Sequence, residues 1–191
     1  MMCSLPNTLL LIIVQKNLGL NAPRSWLGTL GLSIGWVIVM FLYTPLADRI
    51  STHLFQKPPT LNAFRALQQS RVKLVLGIVI AWILGGFLEE LLLRGIVLRS
   101  SSVFLATHTM QFAAEMVSIL VAAASAFILH LYQGLRAAFI VTQLSVLFGI
   151  LFVVSGFNLW AVILCHEIYD TVAFIRFANK SSKYSTLDLT N

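Results

Sequence analysis

The chain has 191 residues, of which 58% are hydrophobic and only 10% charged, and its mean hydropathy is +0.88. Soluble domains carry about 25% charged residues, so a water-soluble globule is excluded and the class is a polytopic membrane protein. The net charge of +6 comes from basic residues at the edges of apolar runs, with no dense basic stripe interleaved with aromatics, which fits the lipid bilayer as partner and excludes nucleic acid.

In lipid, a lone segment satisfies its own backbone only as a helix. The apolar runs therefore predict an all-α, polytopic transmembrane bundle, a single integral membrane domain over residues 1–191. It has about five spanning helices and a short N-terminal apolar segment. That segment, LPNTLLLIIV at 5–14, is too short to span. It lacks the basic flank and small-residue cleavage site of a signal peptide, and reads as a partial or interfacial helix. The spans are expected at about 26–47, 74–98, 112–131, 137–154 and 159–177. Residues 48–73 form the one long polar connection, with QKPPTLN as its turn signal, and 178–191 form a polar tail.

Alternate threading puts three basic regions on one side, the cytoplasmic side by the positive-inside rule. They are the 48–73 connection (Arg49, Lys57, Arg65, Arg71, Lys73), the turn holding Arg136, and the tail side with Arg176, Lys180 and Lys183. The opposite loops hold mainly Arg99 and His108, with Lys16 and Arg24 ahead of the first span. Cys3 and Cys165 have no framework spacing, so a disulfide scaffold is not expected.

An ionisable residue inside a span costs about 2.5–3.5 kcal/mol on insertion scales and marks a functional site by default. The second span carries GGFLEELLLRG at 85–95. Glu90 and Arg94 are four residues apart and share a helix face, so they can pair. Glu89 is rotated about 100° away and lacks that local partner. A carboxylate desolvated in an apolar cavity serves as a general base; the structural alternative is an ion pair joining two helices. Gly85 and Gly86 allow close approach of a neighbouring helix. The third span ends in HLYQG, where His130 is either a site residue or a satisfied structural histidine. The fifth holds CHEIYD, with His166 and Asp170 on one face. Glu167 points elsewhere, and Cys165 does not face its neighbour His166, which argues against a thiol nucleophile. Glu115 lies near a span end, and His53 and His108 lie in connections.

Together Glu89, Glu90, His130, His166 and Asp170 put five proton-active groups on three apolar helices. Carboxylates and imidazoles so gathered can activate water and stabilise the oxyanion of amide hydrolysis. At ~1.5 Å per residue, Glu89 lies roughly 15 Å, His166 roughly 12 Å and Asp170 roughly 18 Å from the same membrane side. His130 falls near the opposite end of its span and is not level with them.

EELLLRG resembles the EExxxR motif of the CPBP family of intramembrane proteases, which includes the CAAX prenyl endopeptidases and the bacterial Abi proteins. HLYQG at 130–134 and HEIYD at 166–170 resemble its second and third motifs in the same order, over about residues 70–176. The second motif departs from the pattern: the family's Phe four residues before the His is Ala126 here, with Phe127 one residue late. The resemblance implies an intramembrane endopeptidase of the glutamic type. Glu89 would be the base, assisted by His130. His166 and Asp170 would stabilise the oxyanion, with Glu90 and Arg94 in support. It implies no required metal, although Glu89, His130, His166 and Asp170 are also a donor set that zinc could use. Implied partners are a peptide or protein substrate, prenylated or membrane-bound, and implied localisation is multi-pass in a membrane, the plasma membrane in a bacterium. The alternative is a non-catalytic scaffold or bacteriocin self-immunity protein that keeps the motif residues for packing.

Overall fold

The computed structural model describes residues 18–57 and 62–187. Its elements are helical, with no strand among the described residues. Helix α1 runs Trp26–Leu54, started by Ser25, whose hydroxyl accepts from the Gly28 amide at 3.1 Å and so satisfies one of the first-turn donors. A short 3₁₀ segment, Asn62–Gln68, leads to α2, Arg71–Ala106, capped in the same way by Ser70. Helix α3 spans Gln111–Leu129, α4 Leu135–Val154 and α5 Leu159–Leu187. Gly134 ends the α3–α4 turn at φ +92°, a conformation that a side chain would strain.

Helix ends differ from the sequence expectation. α1 runs on to Leu54, α2 occupies Arg71–Ala106 and not 74–98, and α5 continues to Leu187 where a polar tail was expected. The reason is that basic residues such as Arg49, Arg71, Lys73 and Arg99 sit within helices. Their long stems let the charge reach the headgroups while the backbone stays helical. The 5–14 segment and Cys3 lie outside the described residues.

Helices α1 to α4 are each long and apolar enough to cross a membrane. Helix α5 carries Glu167, Asp170 and Arg176 within its first part and is marked by packing more than by hydropathy. It packs against α1, α2 and α4, and its Leu159, Val162, Ile163 and Cys165 are buried in the core. Helix α3 packs against α2 and α4. Polar side chains fasten these contacts: Ser33 Oγ donates to the Ala161 carbonyl at 2.8 Å, and Trp36 Nε1 to the Leu147 carbonyl at 3.1 Å. The outer surface is apolar, with Leu27, Leu42, Val72 and Leu120 exposed, as a protein solvated by lipid requires.

The basic connections gather on one face. Arg136 Nη2 donates to Asp48 Oδ1 at 2.7 Å, joining the start of α4 to the late part of α1. Gln68 Nε2 donates to the Phe177 carbonyl at 3.2 Å, joining the 3₁₀ segment to α5. Alternate threading requires this arrangement.

Candidate active site

The motif region of α2 is not regular α-helix. Residues Trp82–Glu89 and Leu91–Leu98 form wider π-type turns, which are rare and frequently found at functional sites. The Glu90–Arg94 pairing expected from the α period survives this widening. Arg94 Nη1 donates to Glu90 Oε1 at 3.2 Å, and Arg94 Nε lies 3.2 Å from Oε2, close enough for ionic attraction but off the hydrogen-bond axis. Both side chains are completely buried.

That pair is held from two other helices. On α4, Arg94 Nη2 donates to the Ser145 carbonyl at 3.0 Å and to its hydroxyl at 2.8 Å. On α5, His166 Nδ1 lies 2.6 Å from Glu90 Oε1, so this one oxygen accepts from both a guanidinium and an imidazole. Phe148, one turn after Ser145, stacks on the His166 ring at 4.8 Å between centroids and 21° between planes. It also lies 5.2 Å from the Arg94 guanidinium.

Glu89 takes the other direction. Its Oε2 lies 3.8 Å from His130 Nε2. His130 Nδ1 lies 2.9 Å from the Ala126 carbonyl; a carbonyl only accepts, so Nδ1 is the donor and Nε2 turns to Glu89. Position 126, where the family pattern has Phe, thus contributes its backbone, and its methyl is fully buried. The depth mismatch expected for His130 is corrected by the length of α2. Counted from the turn between α2 and α3, Glu89 is about 26 Å down one helix and His130 about 28 Å down the other, because α2 reaches Ala106.

His166 Nε2 lies 3.5 Å from Asp170 Oδ2, one turn further along α5. The close approach of α5 to α2 depends on the glycine pair. A Cβ on Gly86 would sit 2.6 Å from Glu167 Cγ, and one on Gly85 would sit 3.5 Å from both Asp170 Oδ2 and His166 Nε2. Glu167 is therefore a packing neighbour of the glycine step.

Glu89, His130, His166 and Asp170 line one cavity of about 320 Å³, and Glu90 does not. Phe64, Tyr132 and Phe174 line it as well. Among the described residues, no group of three acidic, histidine or cysteine side chains is gathered closely enough to hold a metal ion. Cys165 faces the core, its Sγ 3.8 Å from Met40 Sδ. Glu115 accepts from Gln111 at 2.6 Å at the exposed start of α3, and His53 and His108 are exposed. Sequence reasoning missed Ser145 and Phe148, since a serine and a phenylalanine in an apolar helix carry no signal of their own.

A family profile described as type II CAAX prenyl endopeptidase Rce1-like matches residues 71–172, more than half of the chain. The chain belongs to that family. The match begins at the first residue of α2 and ends two residues past Asp170, so it covers every residue of the cavity just described except Phe64 and Phe174. No curated protein and no solved structure matches the chain. As an Rce1-like protein with four apolar spanning helices, it is a multi-pass integral membrane protein, and its family supports a protease role.

Proposed function

We propose that this protein hydrolyses a peptide bond at the bilayer with water activated by Glu89 and His130, without a bound metal. The observation that carries the reading is the pair of acceptors at the cavity wall. Glu89 Oε2 and His130 Nε2 are 3.8 Å apart, too far for a direct bond, and His130 Nδ1 is committed to the Ala126 carbonyl. One water can donate a hydrogen to each acceptor, which leaves its lone pairs directed into the cavity.

Attack of that water on a scissile carbonyl forms the C–O bond while Glu89 takes the proton. As the tetrahedral intermediate collapses, the C–N bond breaks and Glu89 returns the proton to the leaving amine. His166 acts as an imidazolium, donating from Nδ1 to Glu90 and from Nε2 to the oxyanion, with the Asp170 carboxylate 3.5 Å from Nε2 supporting that charge. The buried Glu90–Arg94 pair sets the helices and takes no part in proton transfer.

The substrate is a membrane-bound peptide or protein, with a prenylated C-terminus as the leading class, in keeping with the family. A lipid chain in the bilayer would hold the scissile bond at the depth of the cavity. No nucleic acid is involved.

The test compares wild type with Glu89→Gln, purified in detergent, on a farnesylated C-a-a-X peptide, and maps the peptides of membranes containing each by mass spectrometry. Wild type should release the C-terminal fragment, and Glu89→Gln should fold normally and release none. Cleavage at the wild-type rate by both Glu89→Gln and Glu89→Ala would sink the mechanism.

A further inference from the structure

We infer that Ser145 and Phe148 on α4, a helix that carries none of the motif residues, are positioning residues that set the orientation of His166. The inference rests on the proposed role of His166 at the oxyanion. Arg94 Nη2 carries two hydrogens, and both are used by Ser145, one on its carbonyl at 3.0 Å and one on its hydroxyl at 2.8 Å. A guanidinium is a rigid planar fork, so fixing one nitrogen fixes the direction in which Nη1 and Nε present themselves to Glu90. Glu90 Oε1 is then fixed, and with it the His166 Nδ1 that bonds to it at 2.6 Å.

That bond leaves the imidazole free to rock about the Nδ1 contact. Phe148 removes this freedom by lying nearly parallel to the ring, 21° between planes at 4.8 Å. Ser145 and Phe148 are three residues apart and so share a face of α4. One face therefore clamps the ring edge through Arg94 and Glu90, and the ring plane directly. Every polar group in the relay is buried, with Ser145 3% and His166 9% exposed.

The experiment uses the full chain in lipid nanodiscs, with ¹⁵N-labelled histidine and the farnesylated C-a-a-X peptide as substrate. Ser145→Ala removes the hydroxyl and keeps the carbonyl, and it should fold with a melting temperature lowered by about 3–10 °C. Losing one hydrogen bond to a charged group should lower kcat about tenfold with KM within about twofold, and it should move the His166 ring-nitrogen signals. In a Glu90→Gln background the relay is already broken, so adding Ser145→Ala should change neither quantity further. Phe148→Leu should also move the His166 signals, without depending on Glu90.

Unchanged His166 signals and unchanged kcat in Ser145→Ala would overturn the clamp, as would full additivity with Glu90→Gln. Glu89→Gln separates this from the mechanism: it should abolish cleavage while leaving the His166 signals near wild type. If wild type fails to cleave the peptide, the mechanistic reading falls on that substrate, and the His166 signals decide the clamp alone.

Discussion

Glu90→Gln keeps the shape of a completely buried side chain and removes its charge. In the wild type, Oε1 accepts from Arg94 Nη1 at 3.2 Å and from His166 at 2.6 Å, and Oε2 stands 3.2 Å from Arg94 Nε. At that separation and an effective permittivity of 20, the attraction is about 5 kcal/mol. The substituted amide keeps one acceptor and so retains about 1 kcal/mol of neutral hydrogen bonding. Its NH₂, however, then faces an N–H of Arg94 or of His166, donor against donor. The expected loss of stability is about 3–4 kcal/mol, in the range for breaking one partner of a buried pair. Removing both charges with Glu90→Leu and Arg94→Met together should destabilise less than Glu90→Leu alone, because no unpaired ion is left inside. The assay is reversible unfolding in bicelles by titration with a denaturing detergent, followed by helicity. A loss below about 1 kcal/mol for Glu90→Gln, or a double variant equal to the sum of its singles, refutes the reasoning.

Gly86→Ala should destabilise by about 1–3 kcal/mol, since the new methyl meets Glu167 Cγ at 2.6 Å in a packed helix contact. Gly85→Ala, at 3.5 Å from Asp170 and His166, should unfold like wild type yet cleave more slowly because its methyl enters the cavity; equal behaviour of the two variants in both assays would contradict this. Cys165→Ala should lose about 1–2 kcal/mol through a small void beside Met40 and keep cleavage within about twofold. A thiol-dependent enzyme would instead go silent. Asp48→Asn breaks the Arg136 pair, but Asp48 is half exposed, so the cost should stay under about 1 kcal/mol by the same unfolding titration.

How much of this was readable in the sequence follows from the range of each interaction. Helix existence was legible because lipid tolerates little else, and the Glu90–Arg94 pair was legible because both partners lie on one local face. Helix ends were not, since Arg71 and Arg99 look like loop residues to a hydropathy count and are helical in the structure. The error at Arg99 alone, where α2 was cut short, made His130 seem misplaced. Contacts set by tertiary packing were also out of reach. Ser145 meets Arg94 across 51 residues of chain, and His166 meets Glu90 across 76. The wide turns around Glu89 had no signal in the amino-acid pattern.

Two carboxylates adjacent in sequence thus end in unlike surroundings, and the difference decides what each can do. Glu90 is completely buried, with Oε1 bonded to Arg94 and His166 and Oε2 held against the Arg94 guanidinium, and it does not reach the cavity where water would sit. Glu89 keeps 18% of its side chain exposed at the cavity wall, with only an imidazole acceptor 3.8 Å away. Exchanging the roles would require Glu90 to abandon a buried guanidinium, which leaves an uncompensated charge at several kcal/mol. The roles are therefore not interchangeable. Under the proposed mechanism, Arg94 and Ser145 keep the second carboxylate out of the chemistry and leave the first free for it.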